Sequence, residues 1–445
     1  MTSDRWKNWA GNQRATGLTV HHPRGTAEIV DVVDATRKAG GRLKAIGSGH
    51  SFTAIGKPDG GQVAFDRHAG LVWLDRKTGL VTVEAGMTIR TLNGILRQAG
   101  LSMTNLGDID KQTISGAVST GTHGTGAAFG GIATQIRGME LVLADGSVLT
   151  CTPEENPEVF AAARVGLGAL GLVSTVTLQT EPAFALCAEE GPMPLADVLS
   201  GFDSLAEGTD HFEFYWFPHT DLALTKRNTR LPFDTELAPL PRWKSIVDDE
   251  VLSNGAFGAI VGISRRVPAG IPRLNRISAR ALGSRTFTDY SAEIFVSPRR
   301  VRFVEMEYAV PRTDIVDVVS EIQATIDRDG LRVPFPIEVR VAAADDIPLS
   351  TASGRASGYV AVHMPAGTDF WPYFRKVEAI AVETGGRPHW GKLHTLDAAA
   401  LRERYPRFDE FVALRDKLDP IGLFSNAYLD RVLGTGPNAE AASRR

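Results

Sequence analysis

Ala45-Ile46-Gly47-Ser48-Gly49-His50-Ser51-Phe52 runs an expected strand, Arg42 to Ile46, into two glycines and then a histidine. Glycines let the backbone turn with positive φ and aim successive N–H groups at one point, which makes an anion nest suited to a pyrophosphate. A tight loop with a chance histidine has the same letters, so the segment needs support from elsewhere in the chain. The run Ser115-Gly116-Ala117-Val118-Ser119-Thr120-Gly121-Thr122-His123-Gly124-Thr125-Gly126 supplies it. Small residues there let backbone approach a flat cofactor while hydroxyls bond phosphate or ring edges, and Ile114, Val118 and His123 set the run apart from a linker. A third run, Gly166-Leu167-Gly168-Ala169-Leu170-Gly171, fits the dinucleotide fingerprint literally. It precedes the β-branched run Leu172 to Thr177 instead of opening a helix, which argues against a nicotinamide-binding Rossmann domain.

Outward from these glycine runs, short strands and helices alternate. The spacing predicts a helix over Thr26 to Ala39 with Thr26 as N-cap, and another over Thr88 to Gln98 closed by Gly100. Strands are expected at Val63 to Phe65, Leu71 to Leu74, Leu80 to Glu84 and Leu172 to Gln179. Met139 to Ala144 and Val148 to Thr152 flank Asp145-Gly146 as a hairpin. Beyond Glu181-Pro182, a second sheet is expected from Phe212 to Phe217, Arg302 to Val310, Ile337 to Ala342 and Tyr359 to His363. Helices at Ile315 to Arg328 and Trp371 to Glu383 separate those strands.

The whole chain, 445 residues, exceeds what one core organises, so two or three packed domains are expected. Apolar residues at 43% and charged residues at 22% are ordinary for a globular protein. A net charge of -4 gives no footprint for nucleic acid. Cys151 and Cys187 are too few for a disulfide framework and read as buried thiols. The N-terminus has no apolar leader, and no run approaches the roughly 18 apolar residues that span a bilayer, so the expected location is cytoplasmic.

In the second half, Glu338 and Arg340 stand two apart on one strand, so both side chains leave the same face. They read as a salt bridge or as a catalytic pair. Arg387-Pro388-His389-Trp390-Gly391-Lys392-Leu393-His394 gathers ionisable and aromatic groups on a loop or short strand. His389 and His394 lack a third partner at zincin spacing, so no metal site is expected and a substrate-lining role is preferred.

Gly47-Ser48-Gly49-His50-Ser51, the Ser119 to Gly124 run, Gly166 to Gly171, Glu338-x-Arg340 and His389-Trp390-Gly391-Lys392 together resemble the vanillyl-alcohol-oxidase superfamily. Within it they resemble the sugar-lactone and alditol oxidase branch, over nearly the whole chain from Trp9 to Leu433. The resemblance implies an α+β fold: a two-subdomain FAD-binding domain over 1–182 and a cap over 183–414 whose antiparallel sheet covers the flavin. The segment 415–435 returns to the first domain, and 436–445 is a flexible tail.

It also implies FAD held covalently through His50, with Ile46, Gly47, Ser48, Gly49, Ser51, Gly107, Ser115, Gly116, Ser119, Gly121, Thr122, His123 and Val173 around it. Glu338, Arg340 and Lys392 are the implied catalytic groups, and Asp108, His363 and His389 the implied substrate contacts. Asp108 stands where alditol oxidases have a serine, and Met364-Pro365 where they have a hydroxyl. The implied substrate is therefore an aldonolactone such as L-gulono-1,4-lactone, oxidised to an ascorbate-type product, with xylitol or sorbitol as the alternative. The implied electron acceptor is dioxygen, giving hydrogen peroxide, or an artificial or protein acceptor. Dehydrogenase-type relatives carry alanine at the position of Gly107, where a methyl group blocks oxygen from the flavin.

Overall fold

The computed structural model describes residues 5–241, 262, 267–297 and 301–436. A three-stranded parallel sheet places Gly61–Ala64 between Thr19–His21 and Leu43–Ile46. A five-stranded antiparallel sheet has Leu172–Gln179 at its centre, between Ile136–Val142 and Leu80–Glu84. These two sheets share one core with the helices Thr26–Lys38 and Ile89–Ala99. Gly100 closes the second of those helices with φ 72°, as expected, while Thr88, expected as its first residue, is its N-cap. Thr26 does not cap the first: Gly25 holds that position, and the Thr26 hydroxyl instead bonds Glu140 and Ser174 at 2.7 Å each.

The second domain is one eight-stranded sheet, and its face-to-face alternation explains the site. In Phe303–Pro311, Val304, Met306, Tyr308 and Val310 enter an apolar core, and in Ile337–Ala342 so do Ile337, Val339 and Val341. The helices Ile315–Arg328 and Trp371–Glu383 cover that side with Ile322, Phe374 and their neighbours. Because strand side chains alternate, Glu305, Glu307, Glu338 and Arg340 all leave by the opposite face, toward the first domain. Pairing aligns them: Glu213 lies opposite Arg340, Tyr215 opposite Glu338, and Lys226 opposite both Glu213 and Glu190.

Three strands of this sheet escaped the sequence reading. Phe184–Pro194 carries a glycine and two internal acids, Leu222–Pro232 is rich in charge, and Arg285–Tyr290 is short. The chain also returns to the first core earlier than residue 415, since Leu401, Tyr405, Phe408 and Phe411 already pack there. Of the two free cysteines, Cys151 is buried as expected, whereas Cys187 is only half-buried. Residues 437–445 of the expected tail lie outside the described residues, and no helix among the described residues is long and apolar enough to cross a membrane.

Candidate active site

Two spaces share His50 in their walls, the narrower inside the first domain and the larger between the two domains. The narrower, about 110 Å³, is walled by Ile46–Ser51, Ser115, Gly116, Ser119 and Val173. The larger, about 720 Å³, is walled by Gly107, Asp108, Thr122, His123, Glu338, Arg340, His389 and Lys392. His50 and Ser51 border both. Of the residues implied by the resemblance, Gly121 and His363 border neither. His363 sits behind Glu305, its Nε2 3.6 Å from that carboxylate and its ring edge against Phe303.

The narrow space exists because its walls lack side chains. A Cβ at Gly47 would lie 2.3 Å from Thr113 Oγ1, so only glycine lets the 47–50 turn close against the short helix Ile114–Ser119, which Thr113 caps. Gly49 takes φ 68°, the left-handed conformation that glycine adopts without strain, and this turns His50 toward the junction. Phe52 N–H donates to Gly391 O at 2.7 Å and Thr53 Oγ1 to Trp390 O at 2.9 Å, tying the His50 loop to the loop that carries His389 and Lys392.

The large space ends on the charged sheet face. Arg340 pairs with Glu338, donates from Nε to Glu213 at 2.7 Å, and has Asp108 at 3.7 Å. Tyr215 OH lies 3.2 Å from both Glu338 and Glu213. Lys392 Nζ is 2.5 Å from Glu305 and 4.0 Å from Glu307, whose other oxygen faces His123 Nε2 at 3.1 Å. Burial works against both cations, but the carboxylates around them raise the pKa of each and keep them charged. Burial likewise pushes Glu305 up, and the charges of Lys392 and His363 outweigh it, holding that carboxyl at about 2. Burial, with Lys111 and Lys392 nearby, lowers the His50 imidazole to about 4.

Sequence reading missed Glu213, Tyr215, Lys226, Glu305 and Glu307. The signal for the last two was present: Glu305-x-Glu307 inside the otherwise apolar strand Phe303–Pro311 has the spacing that singled out Glu338-x-Arg340. Glu213, Tyr215 and Lys226 are reached only through strand pairing. The one group of potential metal ligands among the described residues is His123, Glu307 and His389, with ligand atoms within 4.8 Å of one another. Within it His123 Nε2 faces Glu307 at 3.1 Å and His389 Nδ1 accepts from Gly391 N–H at 3.0 Å. We read them as a network lining the cavity.

A glycine-walled channel that opens into a charged chamber fits a dinucleotide-like cofactor with its ring system at the opening, and the fold is that of a FAD-dependent oxidoreductase. The structure of cholesterol oxidase from B. sterolicum superposes with a TM-score of 0.81, covering 97% of this chain and 96% of that one at 16% identity. The FAD-binding domain profile matches residues 18–152, and the D-arabinono-1,4-lactone oxidase profile matches residues 176–432. L-gulono-1,4-lactone dehydrogenase of Mycobacterium tuberculosis is 44% identical over 96% of this chain and 99% of its own. Alditol oxidase of a Streptomyces species is 33% identical over 96% of this chain and 98% of its own. The chain belongs to the D-arabinono-1,4-lactone oxidase family.

Proposed function

We propose that the protein oxidises an aldonolactone, L-gulono-1,4-lactone or a close relative, at a carbinol carbon, with FAD attached through His50. The observation that carries this reading is the position of His50, where the glycine-walled channel meets the chamber lined by Glu338, Arg340 and Lys392. When bound, FAD supplies the two-electron acceptor that takes hydride from the carbinol carbon. Glu338 accepts the hydroxyl hydrogen bond and then the proton, and Arg340 fixes the carboxylate that does so. Lys392, kept cationic by Glu305 and Glu307, offsets negative charge that develops as the hydroxyl loses its proton. Asp108 and His389 line the same chamber and bind the remaining hydroxyls of the substrate.

Oxidation beside the lactone carbonyl gives a 2-keto lactone, whose enediol tautomer is an ascorbate-type product. The family profile and the 44% identity to a gulonolactone dehydrogenase, against 33% to an alditol oxidase, favour the lactone over a polyol. Anaerobic bleaching of the flavin against a panel of aldonolactones and alditols tests this: L-gulono-1,4-lactone should reduce it rapidly. Rapid bleaching by xylitol with none by any lactone would overturn the assignment. The His50 link is tested separately, by acid precipitation. Flavin should stay with the unmodified polypeptide and be released from His50→Ala.

A further inference from the structure

The segment ahead of the first long helix has no role in the chemistry above, yet it is built against His50. Arg5–Lys7 pairs antiparallel with Arg14–Thr16, and the turn between them is fastened to the 49–52 loop. Trp9 N–H donates to Gly49 O at 2.8 Å, Asn8 Nδ2 to Ser51 O at 2.9 Å, and Asn12 Nδ2 to Phe52 O at 2.8 Å. Gln13 Nε2 adds a second bond to Phe52 O at 3.1 Å. Asn8 is 3% exposed, a costly place for an amide unless its bonds are made, and its Oδ1 accepts from Gly11 and Gln13 N–H.

Trp9 then stacks on the His50 ring, centroids 5.7 Å apart and planes 22° from parallel. Phe303 and Phe52 hold the indole edge-on at 5.3 and 6.3 Å. The indole is thus held by Phe303 and Phe52, with the His50 ring stacked on it.

We propose that this N-terminal hairpin is the positioning device for flavin attachment, fixing the His50 backbone and presenting its ring edge to a FAD seated at the junction of the two spaces. The inference rests on His50 as the attachment residue. In the attachment step a His50 ring nitrogen bonds the flavin 8α carbon and one C–H bond there breaks. The proton leaves to solvent, the electron pair remains in the isoalloxazine, and dioxygen or another two-electron acceptor removes it. Burial keeps the imidazole neutral near pH 7, so its lone pair is available. Orientation is then what the protein adds, and a misplacement of about 1 Å commonly costs about a hundredfold in rate.

The experiment incubates purified full-length protein with excess FAD and follows acid-stable flavin per chain alongside total bound flavin. Trp9→Ala should attach flavin about a hundredfold more slowly than the unmodified protein, Trp9→Phe should recover most of the rate, and Asn12→Ala should fall between them. If Trp9→Ala attaches at the unmodified rate while His50→Ala attaches none, the inference fails and the attachment reading stands. If acid releases all flavin from the unmodified protein, both fail. Equal loss of total bound flavin from Trp9→Ala and Trp9→Phe would make the hairpin a general support and also overturn the inference.

Discussion

Glu338→Gln is the perturbation that most directly separates a catalytic pair from a structural one. Glu338 is 3% exposed, pairs with Arg340 and lies 3.2 Å from Tyr215 OH. Glutamine keeps its shape but loses the charge and the ability to take a proton. Arg340 would not be orphaned, since Glu213 still accepts from its Nε at 2.7 Å and Asp108 lies at 3.7 Å. The folding cost should therefore be about 1–2 kcal/mol, the scale of one changed hydrogen bond. Arg340→Met is the poorer experiment, because it leaves buried carboxylates facing one another, a loss of about 3–5 kcal/mol from a total stability of about 5–15. Loss of the proton acceptor should slow flavin reduction about a hundredfold, equivalent to about 2.7 kcal/mol in the barrier. Anaerobic stopped-flow measurement of the oxidised-flavin band reads this directly, with flavin content and thermal midpoint as controls. An unchanged reduction rate with intact flavin would refute the proton-acceptor role and leave the pair structural.

Lys392→Met removes the lysine that pairs with Glu305. Reduction should slow about a hundredfold. The change should also show in acid: Glu305, held at about 2 against an ordinary 4.5, contributes stability above pH 4.5 that is lost as pH falls toward 2, and the variant should lose that contribution at neutral pH. His211 and His389 are lowered to about 4 and His394 to about 3, in each case chiefly by burial. Their folded pKa values lie below the unfolded one, so they favour folding above pH 6.5. Below it, each should remove up to about 1.4 kcal/mol per pH unit, and a denaturation midpoint that stays flat from pH 7 to 5 would contradict this. Gly107→Ala would place its methyl 3.0 Å from His123 O and 3.2 Å from Thr122 Cγ2, on the wall of the large space. We expect oxidase activity with peroxide as product in the unmodified protein, and slower reoxidation by dioxygen with substrate reduction largely kept in the variant; equal reoxidation rates would show that no gate is there.

How much was legible in the sequence follows from how local each signal is. Leu80–Glu84, Leu172–Gln179, Ile337–Ala342 and both long cap helices were found to the residue, because each carries its own periodicity or β-branched run. The glycine runs were legible because close backbone approach leaves no alternative to glycine. The charged network was half legible. Glu338 and Arg340 are neighbours on one strand, but Glu213 and Lys226 join them through pairings between residues more than a hundred positions apart or on a hairpin whose second strand is full of charge. Trp9 illustrates the same limit: nothing in a polar N-terminus announces that it folds back onto residue 50. His363 shows the converse, a residue at the expected place in the chain whose ring is turned behind Glu305 by the packing of Phe303 and Phe335.

The charge pattern of the chamber also bears on which form of the sugar acid can enter. At the sheet end, the cations Arg340 and Lys392 face Glu338, Glu213, Asp108, Glu305 and Glu307, while Lys111 is exposed at the rim. The two deep cations are thus already covered by carboxylates. A substrate carboxylate brought to about 4 Å from one uncompensated neighbour would meet a repulsion of about 4 kcal/mol at an effective dielectric of about 20, close to a thousandfold in affinity. A closed lactone has no such charge, and its hydroxyls suit acceptors such as Glu338 and Asp108. L-gulonate, the ring-opened acid, should therefore fail to bleach the flavin at concentrations where L-gulono-1,4-lactone bleaches it fully. Comparable reduction by the acid, with lactone formation excluded by assay, would mean that Arg340 or Lys392 is released from its carboxylates when substrate binds.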